Sequence, residues 1–249
     1  MSTSLNLYIN VLNRKTMGKL YLVPTPVGNL EDITLRALRL LKEADFIMAE
    51  DTRTSGILLN HYEIKNKLIP YHKFNEHQQV AHYADMVAAA KSAVLISDAG
   101  TPGISDPGYL LVKQCIQNDI EVECLPGATA FVPALINSGF ANDRFCFEGF
   151  LPQKKGRQKR IEAVRNEERA MIFYESPYRL LKALEQFAEV FGPDRRVCVS
   201  REISKIHEEN YRGTISEAIA HFTETGVKGE IVIVVEGNKG AEKVAEEEN

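Results

Sequence analysis

A chain of 249 residues, 44% of them hydrophobic, can bury a core as one large domain or two compact halves, which excludes disorder as its overall state. Its 30 basic and 34 acidic residues leave a formal charge of −4, so a nucleic-acid partner has to be held by a local basic patch and not by the field of the whole molecule. Cys115, Cys124, Cys146 and Cys198 lack C-x-x-C spacing, the six histidines show no metal-ligand pattern, and no apolar run reaches the roughly 18 residues of a membrane span, so a cytoplasmic protein with no metal site and no disulfide framework is expected.

The opening "MSTSLNLYINVLNRKT" precedes a second methionine, Met17, and reads as an extension over residues 1–17, although Leu5, Leu7, Ile9 and Val11 alternate as in a strand. Then "KLYLV" predicts a strand, and "ITLRALRLLKEAD" a helix with Leu35, Leu38 and Leu41 at near-helical spacing and Thr34 as its N-cap. Strand "FIMAE", short helix "TSGILLNHY", strand "KLIPYH", helix "EHQQVAHYADMVAAAKS" and strand "AVLIS" follow. After "SDAGTPGISDPG" come a helical "PGYLLVKQCIQN" and a fifth strand, "IEVECLP". This alternation is that of a mostly parallel, helix-covered sheet.

From Gly127 a second series begins. A helical "ATAFVPALINS" leads to strand "FCFEGFL", a basic helix over residues 154–165, strand "AMIFYES", helix "YRLLKALEQFAEVF", strand "RRVCVSREI", short helix "TISEAIAHF" and strand "GEIVIVVEG". The expected organisation is an N-terminal α/β domain over 18–126, a C-terminal α/β domain over 127–238, and a charged, solvated tail over 239–249.

Ligands of open α/β sheets bind beyond the carboxyl ends of the strands. Four such places stand out: "PTPVGNL", "SDAGTPGISDPG", "PGATAF" and, in the second half, "YESPYR". Gly and Pro are ordinary turn punctuation, which suffices for "PTPVGNL" and "LPGA" taken alone. Twelve residues as rich in Gly and Pro as 97–108 exceed the needs of a turn and favour backbone that a ligand approaches closely. Neither G-x-G-x-x-G nor the P-loop pattern is present, which disfavours a dinucleotide or a nucleoside triphosphate.

"YLVPTPVGNLEDITLRAL", "AEDTR", "LISDAGTPGISDPG", "LPGATA", "FEGFLP" with the basic run after it, "FYESPYRL" and "SREISKIHEE", in this order across residues 18–237, resemble the ribosomal RNA small subunit methyltransferase I family of the tetrapyrrole-methylase-like class. The resemblance implies a two-domain fold with a mostly parallel N-terminal sheet, a mixed C-terminal sheet and a ligand cleft between them. It implies a homodimer that uses S-adenosylmethionine to methylate the ribose 2′-oxygen of a cytidine in the decoding region of 16S ribosomal RNA, within the 30S subunit. By similarity, Asp98, Ala99, Gly100, Gly103 and Ile104 cradle the donor, Thr129 and Ala130 contact it, Pro26, Val27 and Gly28 line its floor, and Tyr174, Glu175 and Ser176 close its adenosine end. "PTPVGNL" replaces the G-x-G-P-G-D type of first loop found in the wider class, which points away from tetrapyrrole substrates.

In-line methyl transfer asks mainly for alignment, with the oxygen about 3 to 3.5 Å from the methyl carbon. A group that accepts the hydroxyl proton adds about 10² to 10⁴-fold. Candidates at strand ends are Glu50 and Asp51, then Glu148 and Glu202. Beside Arg53 or Arg201, ion pairing or loop ordering is favoured over proton transfer for any single one. For RNA, residues 153–169 hold seven Lys/Arg against three Glu, a local +4, and include Lys154, Lys155 and Arg157; Arg179, Arg201 and Lys205 extend the patch if they share its face. Taken without the resemblance, a solvated helix face serves equally well. A methylase of the same fold acting on a tetrapyrrole or a protein side chain, and an RNA-binding module without turnover, stay open as alternatives.

Overall fold

Parallel strands need crossover connections, and the first half of the chain supplies a helix between each pair of strands. The computed structural model describes residues 18–238, the side chains of Phe74 and Asn75 apart; the expected extension over 1–17 and tail over 239–249 lie outside them. Strands β1 (Lys19–Leu22), β2 (Phe46–Ala49), β3 (Leu68–Pro70), β4 (Ser92–Ile96) and β5 (Glu121–Cys124) pair in the order β3-β2-β4-β1-β5, every pair parallel. Between them run α1 (Leu35–Glu43), α2 (Thr52–His61), α3 (Lys73–Ala89) and α4 (Tyr109–Gln117). Thr34 caps α1 as expected, its Oγ1 accepting from Ala37 N at 3.1 Å.

The strand order decides where a ligand can sit. From β1 the chain steps one way to β2 and β3, then returns through β4 to β5, and right-handed crossovers put the two sets of helices on opposite faces. The two cores agree. Ala37, Leu40 and Leu41 of α1 and Leu59 of α2 pack on Ile47, Val94 and Ile96, whereas Tyr83, Ala84 and Val87 of α3 and Leu111 and Cys115 of α4 pack on Leu20, Met48 and Leu95. Neighbouring strands β1 and β4 therefore send their next segments to opposite faces, which opens a crevice at their carboxyl ends.

The chain divides into two compact units between Thr129 and Ala130. The second unit holds β6 (Phe145–Phe150), β7 (Ala170–Glu175), β8 (Arg196–Arg201), β9 (Glu209–Thr214) and β10 (Ile231–Val235) in the order β6-β7-β10-β8-β9. Only the β6–β7 pair is parallel, so the sheet is mixed. One face is covered by α6 (Arg157–Ala163), α7 (Leu180–Phe191) and α8 (Ile215–Thr225), through residues such as Ile161, Phe187 and Phe222; the other carries α5 (Phe131–Ser138), through Ala134 and Leu135. A capping box starts α8, with Thr214 Oγ1 accepting from Glu217 N and Glu217 accepting from Thr214 N.

Two elements depart from the sequence expectation. Strand β9 falls where no element is expected, because "ENYRGT" is an edge strand with one large apolar side chain, Tyr211, and gives no alternating signal. The basic helix begins at Arg157 rather than residue 154, since Gly156 precedes it at φ +89°. No helix among the described residues is long and apolar enough to cross a membrane.

Candidate active site

Parallel pairing in register brings the carboxyl ends of β2, β4, β1 and β5 side by side, so the segments after them become neighbours. Thr25, after β1, exchanges two backbone hydrogen bonds of 2.9 Å with Gly100, after β4. The Thr25 hydroxyl donates to Ser97 O at 3.0 Å, and the Ser97 hydroxyl donates to Gly100 O at 3.2 Å. On the other side Thr101 Oγ1 donates to Ala128 O at 3.0 Å, tying in the segment after β5. Gly100 holds φ +80°, which only glycine adopts without strain, and a Cβ there would face Val27, Ala128 and Thr129. Gly127 serves close approach, because a Cβ on it would lie 2.7 Å from Cβ of Pro24. The expected donor residues Pro26, Val27, Gly28, Asp98, Ala99, Gly100, Gly103, Ile104 and Thr129 all lie on these three joined segments.

The far end of the 97–108 segment is anchored from below. Glu76 of α3 is buried, and its Oε1 accepts from Gly108 N at 3.0 Å, Leu110 N at 3.2 Å and the Tyr71 hydroxyl at 2.9 Å. The carboxylate thus holds the first turn of α4, where free N–H groups and the helix dipole favour negative charge. Burial and the Glu76 hydrogen bond push the Tyr71 phenol well above its usual range.

Acidic groups collect at the same edge. Asp98 accepts from Asp51 N at 3.1 Å, which joins the ends of β4 and β2. Asp51 caps α2 and pairs with Arg53 at 2.7 Å, and that hydrogen bonding lowers its carboxyl to about 2. Burial and then the Asp98 charge raise Glu50, and burial raises Asp98. Asp106 is pushed up to about 7, chiefly by burial and then by the charges of Glu50 and Asp98. A folded-state value above the ordinary one opposes folding once the group ionises, so the stability present with Asp106 protonated is lost as pH rises through about 7. A cationic ligand would relieve this repulsion.

In the second unit the expected residues are more tied up. Glu175, at the end of β7, is buried; it accepts from Arg157 Nη2 at 2.7 Å, Arg179 Nε at 3.0 Å and Ser176 N at 2.8 Å. Arg157, expected on the surface, is itself only 5% exposed and also donates to Gln186 at 2.7 Å. Its guanidinium is turned inside the unit, where Nε and Nη2 find partners and Nη1 is buried without one, because the first turn of α6 packs onto α7. Arg201 pairs with Glu209 at 2.9 Å, and Lys205 with Glu202 at 2.8 Å and Glu230 at 3.1 Å. The Lys205 hydrogen bond holds the Glu202 carboxyl below its usual range, the opposite of what a proton acceptor needs. Glu148 is taken by Arg160 at 2.6 Å. Lys154 and Lys155 are exposed and make no ion pair among the described residues. Tyr174 and Ser176 flank Glu175, and Ala130 leads into α5.

The Tetrapyrrole (Corrin/Porphyrin) Methylases family model matches residues 19–219. A protein from Thermotoga maritima named ribosomal RNA small subunit methyltransferase I is 45% identical over 223 residues, covering 90% of this chain and 100% of that one. One of the same name from Synechocystis is 49% identical over 222 residues, covering 89% and 80%. The chain belongs to the ribosomal RNA small subunit methyltransferase I family. Uroporphyrin-III C-methyl transferase from Thermus thermophilus, solved with S-adenyl homocysteine, shares the architecture at 18% identity and a TM-score of 0.62, covering 88% of this chain and 97% of that one.

Two site residues of this methyltransferase I family member escape sequence reasoning. Asp106 sits in the quoted Gly/Pro-rich stretch, but only the fold brings it near Glu50 and Asp98. Glu76 lies 32 residues before Gly108, inside a helix, and nothing in its local sequence marks it as a loop anchor.

Proposed function

We propose that the protein uses S-adenosylmethionine to methylate small-subunit ribosomal RNA, at the ribose 2′-oxygen of a cytidine in the decoding region, as a homodimer acting on the 30S subunit. The observation that carries this reading is membership of the ribosomal RNA small subunit methyltransferase I family, four of whose seven motifs fall on the joined carboxyl-edge segments of the first sheet. The residues there suit the donor. Gly100 keeps the crevice free of a side chain, and Glu50, Asp98 and Asp106 make it attractive to a cation without any phosphate cradle.

When bound, S-adenosylmethionine supplies an electrophilic methyl group on a positively charged sulfur. The chain's own tasks are to align the ribose oxygen with that carbon, exclude water and take up the hydroxyl proton. Among the expected acids, Asp51 and Glu202 are held low by Arg53 and Lys205, whereas Glu50 is raised. We assign proton uptake to Glu50, whose carboxyl is raised by burial and by the Asp98 charge, with Asp98 and Asp106 as its acidic neighbours. Asp51 orients α2 and Arg53. Lys154 and Lys155 contact RNA phosphates, while Arg157 serves the protein interior.

A tetrapyrrole or protein side chain as methyl acceptor gains no support from structures at 18% identity, which speak for fold alone. The deciding experiment incubates the protein with methyl-labelled donor and either 30S subunits or naked ribosomal RNA. Label is expected on a cytidine ribose 2′-oxygen; label on a base, or none while the donor binds, would overturn the reading.

A further inference from the structure

The face of the second sheet that carries α5 has an aromatic row along its β6–β7 end. Phe131 lies 4.9 Å from Phe147, Phe147 lies 5.2 Å from Tyr174, and Tyr174 lies 5.4 Å from Phe150, the last two contacts edge to face. Strict alternation along β6 would put Phe147 and Phe150 on opposite faces. A bulge prevents this: Phe147 pairs with Ile172 but Gly149, at φ +61°, pairs with Phe173, so Phe150 comes opposite Tyr174 and joins the row. Helix α5 lies over β8 and β10 and reaches the β6 end only through Phe131 at its start, short of Phe150. Phe150 is therefore fixed by Tyr174 on one side and still 56% exposed. A single exposed ring is ordinary on a protein surface; what marks Phe150 is that the bulge places it beside a second aromatic side chain and next to uncommitted cations.

Its surroundings indicate which partner. Strands β6 and β7 are parallel, so the segments after them leave from one edge of the sheet. The first carries exposed Lys154 and Lys155, four and five residues beyond Phe150 and free of ion pairs among the described residues. The second carries Tyr178, 96% exposed, in a 3-10 turn that Arg179 N closes onto Ser176 O at 2.9 Å. Exposed aromatic rings and uncommitted cations on segments leaving the same edge match a strand that offers both bases and phosphates. A purely apolar partner would leave the lysines unanswered, and a duplex would keep its bases stacked and out of reach.

Resting on the proposed RNA-methylating function, we infer that this edge is a platform for single-stranded RNA, on which Phe150 and Tyr178 stack unpaired bases while Lys154 and Lys155 hold the adjoining phosphates. The platform presents an unstacked nucleotide to the enzyme and selects loop RNA over helical RNA. Stacking on two aromatic faces is tolerant of base identity, so the preference it confers is for strandedness.

Fluorescence anisotropy on the full chain tests this with a labelled single-stranded RNA of about twelve nucleotides and the same RNA paired with its complement. Phe150→Ala is expected to weaken single-strand binding about tenfold with the salt slope unchanged. Phe150→Leu, which keeps apolar packing but has no ring face, behaves like it, and Phe150→Trp binds at least as well as the wild type. Joint replacement of Lys154 and Lys155 by alanine weakens both RNAs and reduces the salt slope for the single strand by about 1.4. Single-strand binding by Phe150→Leu equal to wild type overturns the platform, as does an equal loss for the duplex. So does a loss of donor affinity in its place, which would give the ring to the donor site, or a change in sedimentation, which would give it to a second copy of the chain. Wild-type protein that labels RNA while the Phe150 variants bind normally removes the platform alone; wild-type protein that neither binds nor labels RNA removes the proposed function as well.

Discussion

Glu76→Ala is expected to lower the unfolding free energy by about 3 kcal/mol and to weaken donor binding more than tenfold, though Glu76, a buried residue of the otherwise half-exposed α3, supports the crevice rather than lining it. Its Oε1 gathers three donors, Gly108 N, Leu110 N and the Tyr71 hydroxyl. Removing it strands two backbone N–H groups and a phenol with little water in reach, and each orphaned group costs about 1–3 kcal/mol. The effect on binding follows from connectivity. Gly108 closes the segment that begins at Ser97, so releasing it loosens the stretch from Gly103 to Asp106, while Gly100 and Asp98 keep their bonds to Thr25 and Asp51. Glu76→Gln keeps an accepting oxygen and should retain part of the stability, because the bonds survive without their charge assistance. Urea denaturation read by circular dichroism, paired with donor calorimetry, checks both parts; a variant that loses stability but binds the donor normally would contradict the assigned anchoring role.

Arg157→Ala should cost about 3–5 kcal/mol, measured by the same denaturation, and should leave the salt dependence of RNA binding unchanged. The side chains of Arg157 and Glu175 are 6% and 2% exposed and meet at 2.7 Å. Deleting the cation leaves a carboxylate inside the unit with Arg179 as its one charged partner among the described residues, and breaking a buried pair by removing one member is costly in this range. Replacing both, Arg157→Met with Glu175→Leu, should recover most of the loss, since the unmatched charge is then gone. If Arg157→Ala unfolds easily but the double replacement is no better, the pair is not the cause. A reduced salt slope in folded Arg157→Ala would return this residue to the RNA-contacting set.

The contrast between Arg157 and its neighbours shows where sequence reading reaches its limit. Both helix-covered sheets were legible, because buried strands such as "FIMA" and "IVIVV" are continuous apolar runs and the helices between them carry apolar stripes. The crevice was legible too: parallel order sends the Gly/Pro-rich segments to one edge, and those segments are unusual locally. The fate of a charge was not legible. Lys154, Lys155 and Arg157 look alike in "KKGR", and only the onset of α6 at Arg157 turns that one guanidinium toward Glu175. Asp106 and Glu76 fail for the same reason, since their partners are distant in sequence. Strand β9 was missed because an edge strand is held by backbone pairing with β8, which leaves its side chains free to be polar.

Calorimetric titration of the wild type and Asp106→Asn with S-adenosylmethionine, at about pH 6 and about pH 7.5, addresses the central claim that a cationic methyl donor is held at the carboxyl edge of the first sheet. Asp106 is largely protonated below about 7 and ionised above it, so wild-type affinity should rise with pH and binding should release protons, whereas Asp106→Asn should bind more weakly and with little pH dependence. Absence of binding heat in the folded wild type, or affinities that are equal for both proteins at both pH values, would contradict the account.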